Sequence, residues 1–314
     1  MLGLLIMLAA VSPPISVTAL RDSYPDISPD GQTLMFQSNR SGRQAIWLAD
    51  AKASNVHLLF DGGMIGTDPA TPRWSPDGTQ IAFAMRPAGS PDQDESEIYI
   101  MKADGSDLRR LTDSWGDDSH PHWSADGKRI FFNSPRATPD RKAEWSRQWI
   151  DIYSMAVDGS DVRRITDCKA VCTYPVPSPD GLSVAHRRVT ATAAVNWDQS
   201  PAARNSEVFV TRIDDGSSRN LSNSPAFDGW PMWAPDGLSI VFASNRGGGV
   251  NVGQIYRVRP DGTGLERLTQ TPFSKAQPSF SADGKSLYLY ENIEESGFEI
   301  GHISKIEIVP PKMR

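Results

Sequence analysis

Two histidines and one tyrosine come nearest to a catalytic set in this sequence. His120 and His122 flank Pro121, and alternate residues of an extended strand point to the same side. The pair could supply two ligands of a metal ion, or His120 could act with Tyr174 as the base and the acid of a polysaccharide lyase or hydrolase. The remaining histidines stand at other strand positions, so a metal site would lack ligands. We therefore expect no metal and no cofactor, and His120 and Tyr174 are candidate catalytic residues only.

Tryptophan and arginine, which are enriched at binding hot spots, collect in two stretches of the chain. The first stretch carries Trp145, Arg147 and Trp149, and the second carries Trp197. We expect both stretches to contact a ligand or partner. The alternative is that they pack together as a loop cap.

Six copies of one eight-residue pattern must position these residues. Each copy has Pro at its second position and Asp-Gly at its end, and a short apolar strand follows it. The copies begin at Tyr24, Thr71, His120, Tyr174, Trp230 and Gln277. A second Asp-Gly turn follows in four of the repeats. Because Gly accepts a positive φ and Asp caps its own turn, each repeat is predicted to hold four strands joined by tight turns.

Four antiparallel strands in a repeat of this length are typical of a β-propeller blade, and a closed ring of blades leaves no long sheet edge exposed. We therefore predict an all-β protein, a six-bladed β-propeller of four-stranded antiparallel blades over residues 20–314. The blades start near residues 24, 71, 120, 174, 230 and 277. The sixth repeat lacks its second Asp-Gly turn, so either 15–18 or 305–309 could supply its fourth strand.

The residue before each motif proline is predicted to ring the mouth of the central channel. The length of the repeats varies only between their second and third strands, and those loops emerge on the same side as the pre-proline residues. We call this side the loop face and the side of the Asp-Gly turns the turn face. Function usually lies on variable loops, and aromatic rings supply contact area, so we predict a ligand site here. Its expected members are Tyr24, Thr71, His120, His122, Tyr174, Trp230 and Gln277. The alternative is that these residues only plug the channel.

Acidic residues stand just before the first strand of several repeats, at Asp22, Asp117, Asp118 and Asp228. We expect these carboxylates to be solvated or to cap turns. A bound cation is the alternative.

Two cysteines, Cys168 and Cys172, lie in one loop. We predict that they form a disulfide in an oxidising compartment, since two thiols are too few for a structural zinc site, and free thiols are the alternative.

Residues 1–19 are predicted to be a signal peptide or an N-terminal segment, with 15–18 as a possible closing strand. Their apolar run is too short to span a bilayer and suits a signal-peptide core, although no basic residue precedes it. A misassigned or truncated start is the alternative. We expect no transmembrane segment in the mature chain and a periplasmic or secreted protein. The net charge of -6 gives no basic field for nucleic acid.

The repeats resemble those of the TolB-like β-propeller family. The resemblance rests on the pattern of Pro, an aromatic residue, Ser, Pro or Ala, Asp and Gly before an apolar strand. Further matching features are Leu111-Thr112, Ile165-Thr166, Leu268-Thr269, Ser38-Asn39-Arg40 and Ser244-Asn245-Arg246. It covers residues 24–305 and implies a stand-alone propeller without the N-terminal α/β domain of TolB. Similar repeats occur in peptidases, lyases and sugar-binding proteins, so the resemblance leaves the function open.

These observations favour a binding scaffold over an enzyme. The sequence contains no phosphate-binding loop, nucleophile elbow, zincin motif or dinucleotide fingerprint. We expect a monomer that binds a protein segment or a glycan at the channel mouth through its loop face. The alternative is a propeller-type polysaccharide lyase or hydrolase that uses His120 and Tyr174.

Overall fold

The computed structural model describes residues 21–90, 95–189, 206–247, 252–292 and 300–309. Within these residues the chain forms six antiparallel sheets, and in each sheet the strands follow one another in chain order. The prediction of a six-bladed β-propeller is confirmed.

The strands of the first three blades have the following bounds. Blade one holds β1 (Asp22–Ile27), β2 (Thr33–Ser38), β3 (Ala45–Asp50) and β4 (His57–Phe60). Blade two holds β5 (Gly66–Trp74), β6 (Gln80–Pro87), β7 (Glu97–Lys102) and β8 (Arg109–Arg110). Blade three holds β9 (Ser119–Trp123), β10 (Arg129–Ser134), β11 (Asp151–Ala156) and β12 (Arg163–Arg164), with a short 3-10 helix (Trp145–Arg147) between β10 and β11.

The strands of the last three blades follow the same order. Blade four holds β13 (Cys172–Pro177), β14 (Ser183–Val189), β15 (Ser206–Arg212) and β16 (Ser218–Asn220). Blade five holds β17 (Asp228–Trp233), β18 (Ile240–Ser244), β19 (Gln254–Val258) and β20 (Glu266–Arg267). The described part of blade six holds β21 (Lys275–Phe280), β22 (Ser286–Asn292) and β23 (Gly301–Glu307).

The first strands of the blades surround the central axis. Each of them contacts the first strand of the next blade, and β1 contacts β21, which closes the ring. A parallel bridge between Arg21 and Gly301 joins blades six and one. The bridge between Ile150 and Val171 joins blades three and four in the same way.

The fourth strand of blade six is only partly settled by the described residues. β23 pairs with β22 from Gly301 to Glu307, so residues 305–307 belong to the third strand. Residues 305–309 therefore do not form a separate fourth strand. The other candidate, 15–18, lies outside the described residues, as does the whole predicted N-terminal segment.

Apolar side chains fill the spaces between blades. Large aromatic residues at matching positions of the second strands are wholly buried, namely Phe36, Phe83, Phe132 and Phe242. Trp123 and Trp233, each from the pattern that begins a blade, are also buried. Burial of such large side chains is the main stabilising contribution to a sheet packed on a sheet.

The turn between the first two strands of a blade repeats one hydrogen-bond pattern. In blade two, the Ser75 hydroxyl donates to Asp77 Oδ1 at 2.6 Å, and the Thr79 amide donates to the same oxygen at 3.0 Å. These bonds lower the pKa of the Asp77 carboxyl. Gly78 has a φ of +71°, which a residue with a side chain rarely adopts. The predicted role of Asp-Gly is therefore seen in the turn itself.

Three acids at the start of first strands form buried ion pairs. Asp22, Asp118 and Asp228 have side chains that are 0% exposed. Their partners lie just after the second strand of the same blade, at 2.7 to 2.8 Å, and are Arg40, Arg136 and Arg246. The expectation that these acids are solvated was wrong, because each of them is enclosed with its arginine. Each pair joins the loop-face end of the first strand of a blade to the loop-face end of the second strand.

None of the helices in the part of the chain that the structure describes is both long and apolar enough to cross a membrane.

Candidate functional site

The pre-proline residues share an unusual backbone conformation. All six have a positive φ, between 50° at Tyr24 and 58° at Tyr174. The register of the first strand against the second shifts at the same place in every blade, which marks a β-bulge. Left-handed backbone at a non-glycine residue costs about 1–3 kcal/mol, and β-branched Thr71 is the least suited of the set. The bulges turn these side chains toward the channel.

The structure brings all of the predicted channel residues together around one small cavity. Its walls include Tyr24, Thr71, His120, His122, Tyr174, Trp230 and Gln277. The cavity volume is about 20 Å³, which is room for roughly one water molecule. The channel mouth is therefore filled by its own side chains.

Aromatic rings meet across the channel. The hydroxyl oxygens of Tyr24 and Tyr174, from blades one and four, lie 3.5 Å apart. The rings of His120 and Tyr174 have centres 3.9 Å apart, and the ring centre of Trp230 is 5.8 Å from that of Tyr174. We call this group of four residues, Tyr24, His120, Tyr174 and Trp230, the aromatic plug.

Side-chain amides bind the backbone of the bulged residues. Gln37 Oε1 accepts the Thr71 amide at 2.9 Å, and Gln277 Oε1 accepts the Tyr24 amide at 2.8 Å. Each of these bonds crosses from one blade to the next. They satisfy donors that the bulge removes from the sheet ladder. Sequence reasoning missed Gln37, although a polar residue inside the apolar run of β2 was the signal for it.

Asn133 has the same role between blades three and four. Its Oδ1 accepts the Tyr174 amide at 3.4 Å and also accepts the Nδ1 hydrogen of His120 at 2.9 Å. Its Nδ2 donates to the Ser119 hydroxyl at 2.9 Å. These bonds fix the His120 ring in one orientation, with Nδ1 protonated. Asn133 was also missed from the sequence.

Both channel histidines are neutral near physiological pH. Burial lowers the pKa of His120 to about 3, and the positive charges of Arg187 and Arg73 lower it further, against the hydrogen bond to Asn133. Burial and Arg73 lower the pKa of His122 to about 3 as well. A neutral imidazole with so low a pKa is a weak proton acceptor.

A second ring of side chains lies in the channel two residues further along the first strands, on the turn-face side of the aromatic plug. Asp26 pairs with Arg73 at 3.3 Å and accepts the Trp74 amide at 2.8 Å and the Ser279 hydroxyl at 2.9 Å. His122 belongs to the same ring, and its Nδ1 hydrogen is donated to the Trp123 carbonyl at 3.0 Å. Burial raises the pKa of Asp26, against the charge of Arg73.

The loop of blade three that carries the predicted hot-spot residues is an ordered structure. Trp145 and Arg147 bound its 3-10 helix. The Thr138 hydroxyl accepts the Trp149 amide at 3.0 Å and donates to the Trp149 carbonyl at 3.1 Å, which fixes the loop where it returns to the sheet. Among the described residues, these three members of the loop do not line the channel cavity. Trp197 lies outside the described residues.

The two cysteines are bonded to each other in the structure. The disulfide between Cys168 and Cys172 packs with Phe131, Ile152 and Val184 at the junction of blades three and four. It is separate from the residues that line the channel cavity.

The chain matches one known sequence family. The sequence pattern described as the TolB beta propeller domain matches residues 66–199 and 192–307. An uncharacterized protein of Agrobacterium fabrum is 29% identical over 220 residues, which cover 69% of this chain and 67% of that protein. A TolB homolog of Chlorobium luteolum is 27% identical over 244 residues, which cover 74% of this chain but only 46% of that protein.

Solved structures agree with the fold. A putative TolB from Agrobacterium tumefaciens has a TM-score of 0.66 at 20% identity, with 94% of this chain and 93% of that chain covered. An oligogalacturonate lyase in complex with manganese has a TM-score of 0.60 at 13% identity, with 94% and 92% covered. At such low identity both similarities concern the fold alone.

Proposed function

This chain belongs to the TolB beta propeller domain family, and from that premise we propose that it is a non-catalytic scaffold that binds a protein segment on its loop face. The observation that carries the proposal is the closed channel mouth. With the hydroxyls of Tyr24 and Tyr174 at 3.5 Å and a cavity of about 20 Å³, a ligand has to lie on the mouth rather than inside it. An extended segment can lie across the mouth without entering it.

The chemistry of the loop face supports a protein segment as the ligand. Trp230 and Tyr174 are half-buried, so each combines a fixed position with ring surface open to a partner. Trp145 and Trp149 are likewise half-buried, and Arg147 between them is exposed. Rigid, partly open aromatic residues beside an arginine are typical of binding hot spots. A glycan could stack on the same rings, so it enters the experiment below as a competitor.

The geometry does not favour the alternative of a lyase or hydrolase. The Nδ1 hydrogen of His120 is held by Asn133, the pKa of His120 is about 3, and its ring lies against Tyr174. A catalytic base and acid need a sugar between them, and a cavity of about 20 Å³ does not admit one. The likeness to an oligogalacturonate lyase therefore adds no argument for catalysis.

A location outside the cytoplasm is part of the proposal. The disulfide of Cys168 and Cys172 suits an oxidising compartment, and residues 1–19 have the composition of a signal-peptide core. We propose a periplasmic or secreted monomer whose propeller occupies residues 20–314.

The test is capture of an envelope protein by the purified chain, followed by affinity measurement with the captured segment. Trp230→Ala and the double variant Trp145→Ala/Trp149→Ala are expected to weaken binding at least tenfold, because truncation of a hot-spot tryptophan removes a large buried contact. Leu238→Ala, which alters an exposed side chain of the turn face, is the matched control and should bind as the wild type does. Equal affinity for all of these variants would contradict the proposal. If oligosaccharides compete for binding and no peptide does, the ligand is a glycan and not a protein segment.

A further inference from the structure

A buried arginine stands beside the aromatic plug without a carboxylate partner among the described residues. Arg187 is 4% exposed, and its Nε atom is enclosed without a hydrogen-bond partner in the described part of the chain. Its guanidinium carbon lies 5.1 Å from the ring centre of Tyr174 and 5.9 Å from that of Phe227. Arginine stays protonated in proteins, so a full positive charge is enclosed here between two rings. A buried charge is strongly disfavoured unless an anion compensates it.

The strand position of Arg187 is one where other blades place an acceptor. Its register against the first strand of its blade matches that of Gln37 in blade one and Asn133 in blade three. Gln37 and Asn133 each accept the amide of the bulged residue of the next blade. An arginine has only donors. Blade four therefore presents donors at a place where two other blades present an oxygen.

The neighbouring blade makes room for this side chain. A Cβ atom at residue 229 would lie 3.3 Å from Cδ of Arg187 and 2.9 Å from the ring of Phe227, and the residue there is Gly229. At the same position, before the bulged residue, the other blades carry Ser23, Ala70, Ser119, Thr173 and Ala276. Gly229 therefore leaves room for two side chains, the Phe227 ring, which a Cβ would approach most closely, and Arg187.

We infer that Arg187 recognises a carboxylate of the bound segment at the loop face. The inference rests on the proposed function and names the chemistry of its ligand. The planar guanidinium binds a carboxylate through two parallel hydrogen bonds. Arg187 pairs with Thr173, one residue nearer the loop face than Tyr174, so its strand position is at the end of the sheet that a segment crossing the mouth would pass. The rings of Tyr174 and Phe227 have to part when the carboxylate enters.

The experiment uses small carboxylates in place of the partner. Thermal unfolding of the whole chain is followed with N-acetylglutamate amide, which carries a side-chain carboxylate, with N-acetylalanine, which carries a chain-terminal one, and with neutral N-acetylglutamine amide. At a probe concentration of about ten times its Kd, an acidic probe should raise the Tm by about 3 °C. The near-UV circular dichroism should change at the same concentrations, because the two rings move. The neutral probe should do neither.

Variants decide whether Arg187 is responsible. Arg187→Met should abolish the Tm response and should unfold at the same or a higher temperature without probe, because it removes a buried charge that has no carboxylate partner among the described residues. Arg187→Lys keeps the charge without the planar fork and should lose most of the response. Arg188→Met is the matched control on the same strand and should respond as the wild type does.

A response to either acidic probe that depends on Arg187 supports the inference, and the stronger probe identifies the kind of carboxylate. An equal response in the wild type and Arg187→Met, a response to the neutral probe, or no response to any probe would overturn it. Because no partner protein takes part, these outcomes are independent of the capture experiment. Loss of the inference would leave the proposed scaffold intact.

Discussion

The hydroxyl groups of Tyr24 and Tyr174 face each other at 3.5 Å from opposite blades of the ring. The residues are separated by 150 positions in the chain, and their contact closes the channel mouth. Burial raises the pKa of the Tyr24 phenol, and the nearby Tyr174 raises it further. The Tyr24 phenol therefore stays neutral, and it can donate to the Tyr174 hydroxyl or accept from it.

The first prediction concerns this contact. Tyr24→Phe and Tyr174→Phe should each lower the free energy of unfolding by about 0.5–1 kcal/mol, because each removes one long hydrogen bond. The double variant should cost less than the sum of the two single losses, since both changes remove the same bond. Urea unfolding of the wild type, the two single variants and the double variant gives the coupling free energy between the two hydroxyl groups. Fully additive losses would mean that the two hydroxyls do not interact.

The second prediction concerns the left-handed backbone. Thr71→Gly should cost about 1–2 kcal/mol less than Thr173→Gly, because glycine relieves the strain at Thr71 and has no strain to relieve at Thr173. The control is closely matched, since both threonines are buried and both Oγ1 atoms lack a hydrogen-bond partner among the described residues. The measurement is again urea unfolding. Equal losses would contradict the strain argument.

The third prediction concerns pH. The pKa values of His120 and His122 are about 3 in the folded protein and near 6.5 in the unfolded chain, so the unfolded state binds protons first as the pH falls. The stabilisation by these neutral rings is complete above about pH 6.5 and is lost progressively between pH 6.5 and pH 3. At pH 5 the low pKa of each histidine should lower the free energy of unfolding by up to about 2 kcal/mol relative to pH 7.

The comparison that isolates this effect is His122→Gln against the wild type between pH 5 and pH 8. The variant should show a shallower loss of unfolding free energy on acidification. His57→Gln, which alters an exposed histidine, should follow the wild-type profile. The burial of Asp228, which raises its carboxyl pKa to about 6, works in the opposite direction in all three proteins and cancels in the differences. Parallel profiles for His122→Gln and the wild type would refute the prediction.

The fourth prediction concerns the enclosed ion pairs. Arg246→Ala should lower the free energy of unfolding by about 3–5 kcal/mol, because it leaves the Asp228 carboxylate buried without its cation. Arg212→Ala breaks a pair with Asp214 in which both side chains are exposed, and it should cost less than about 1 kcal/mol. A similar cost for the two variants, measured by chemical unfolding, would show that enclosure is not what makes the first pair strong.

The repeated pattern was sufficient to predict the architecture. Six copies of Pro with a following Asp-Gly turn determine the number of sheets and place the same residue of each copy at the channel. The convergence of His120, Tyr174 and Trp230 follows from that equivalence. Periodicity states which residues meet. It does not state how far each side chain reaches, so the contact of Tyr24 with Tyr174 and the small cavity could not be derived.

The missed residues depend on contacts between blades. Gln37 and Asn133 lie on second strands, and each accepts a backbone amide of the next blade, so no spacing within one repeat identifies that contact. The ion pair of Asp22 with Arg40 was within reach of the sequence, because the Ser-Asn-Arg step that suggested the family contains the arginine. The pair was missed because its two residues are 18 positions apart in the chain.

The second ring of side chains in the channel also connects neighbouring blades to one another. Asp26 of blade one accepts hydrogen bonds from Trp74 of blade two and from Ser279 of blade six, and it pairs with Arg73. A rotation of blade one away from either neighbour would break one of these bonds inside the channel, where water cannot readily replace it. Blades six, one and two are therefore linked through a single carboxylate, so loss of that group would loosen the junctions of three blades at once.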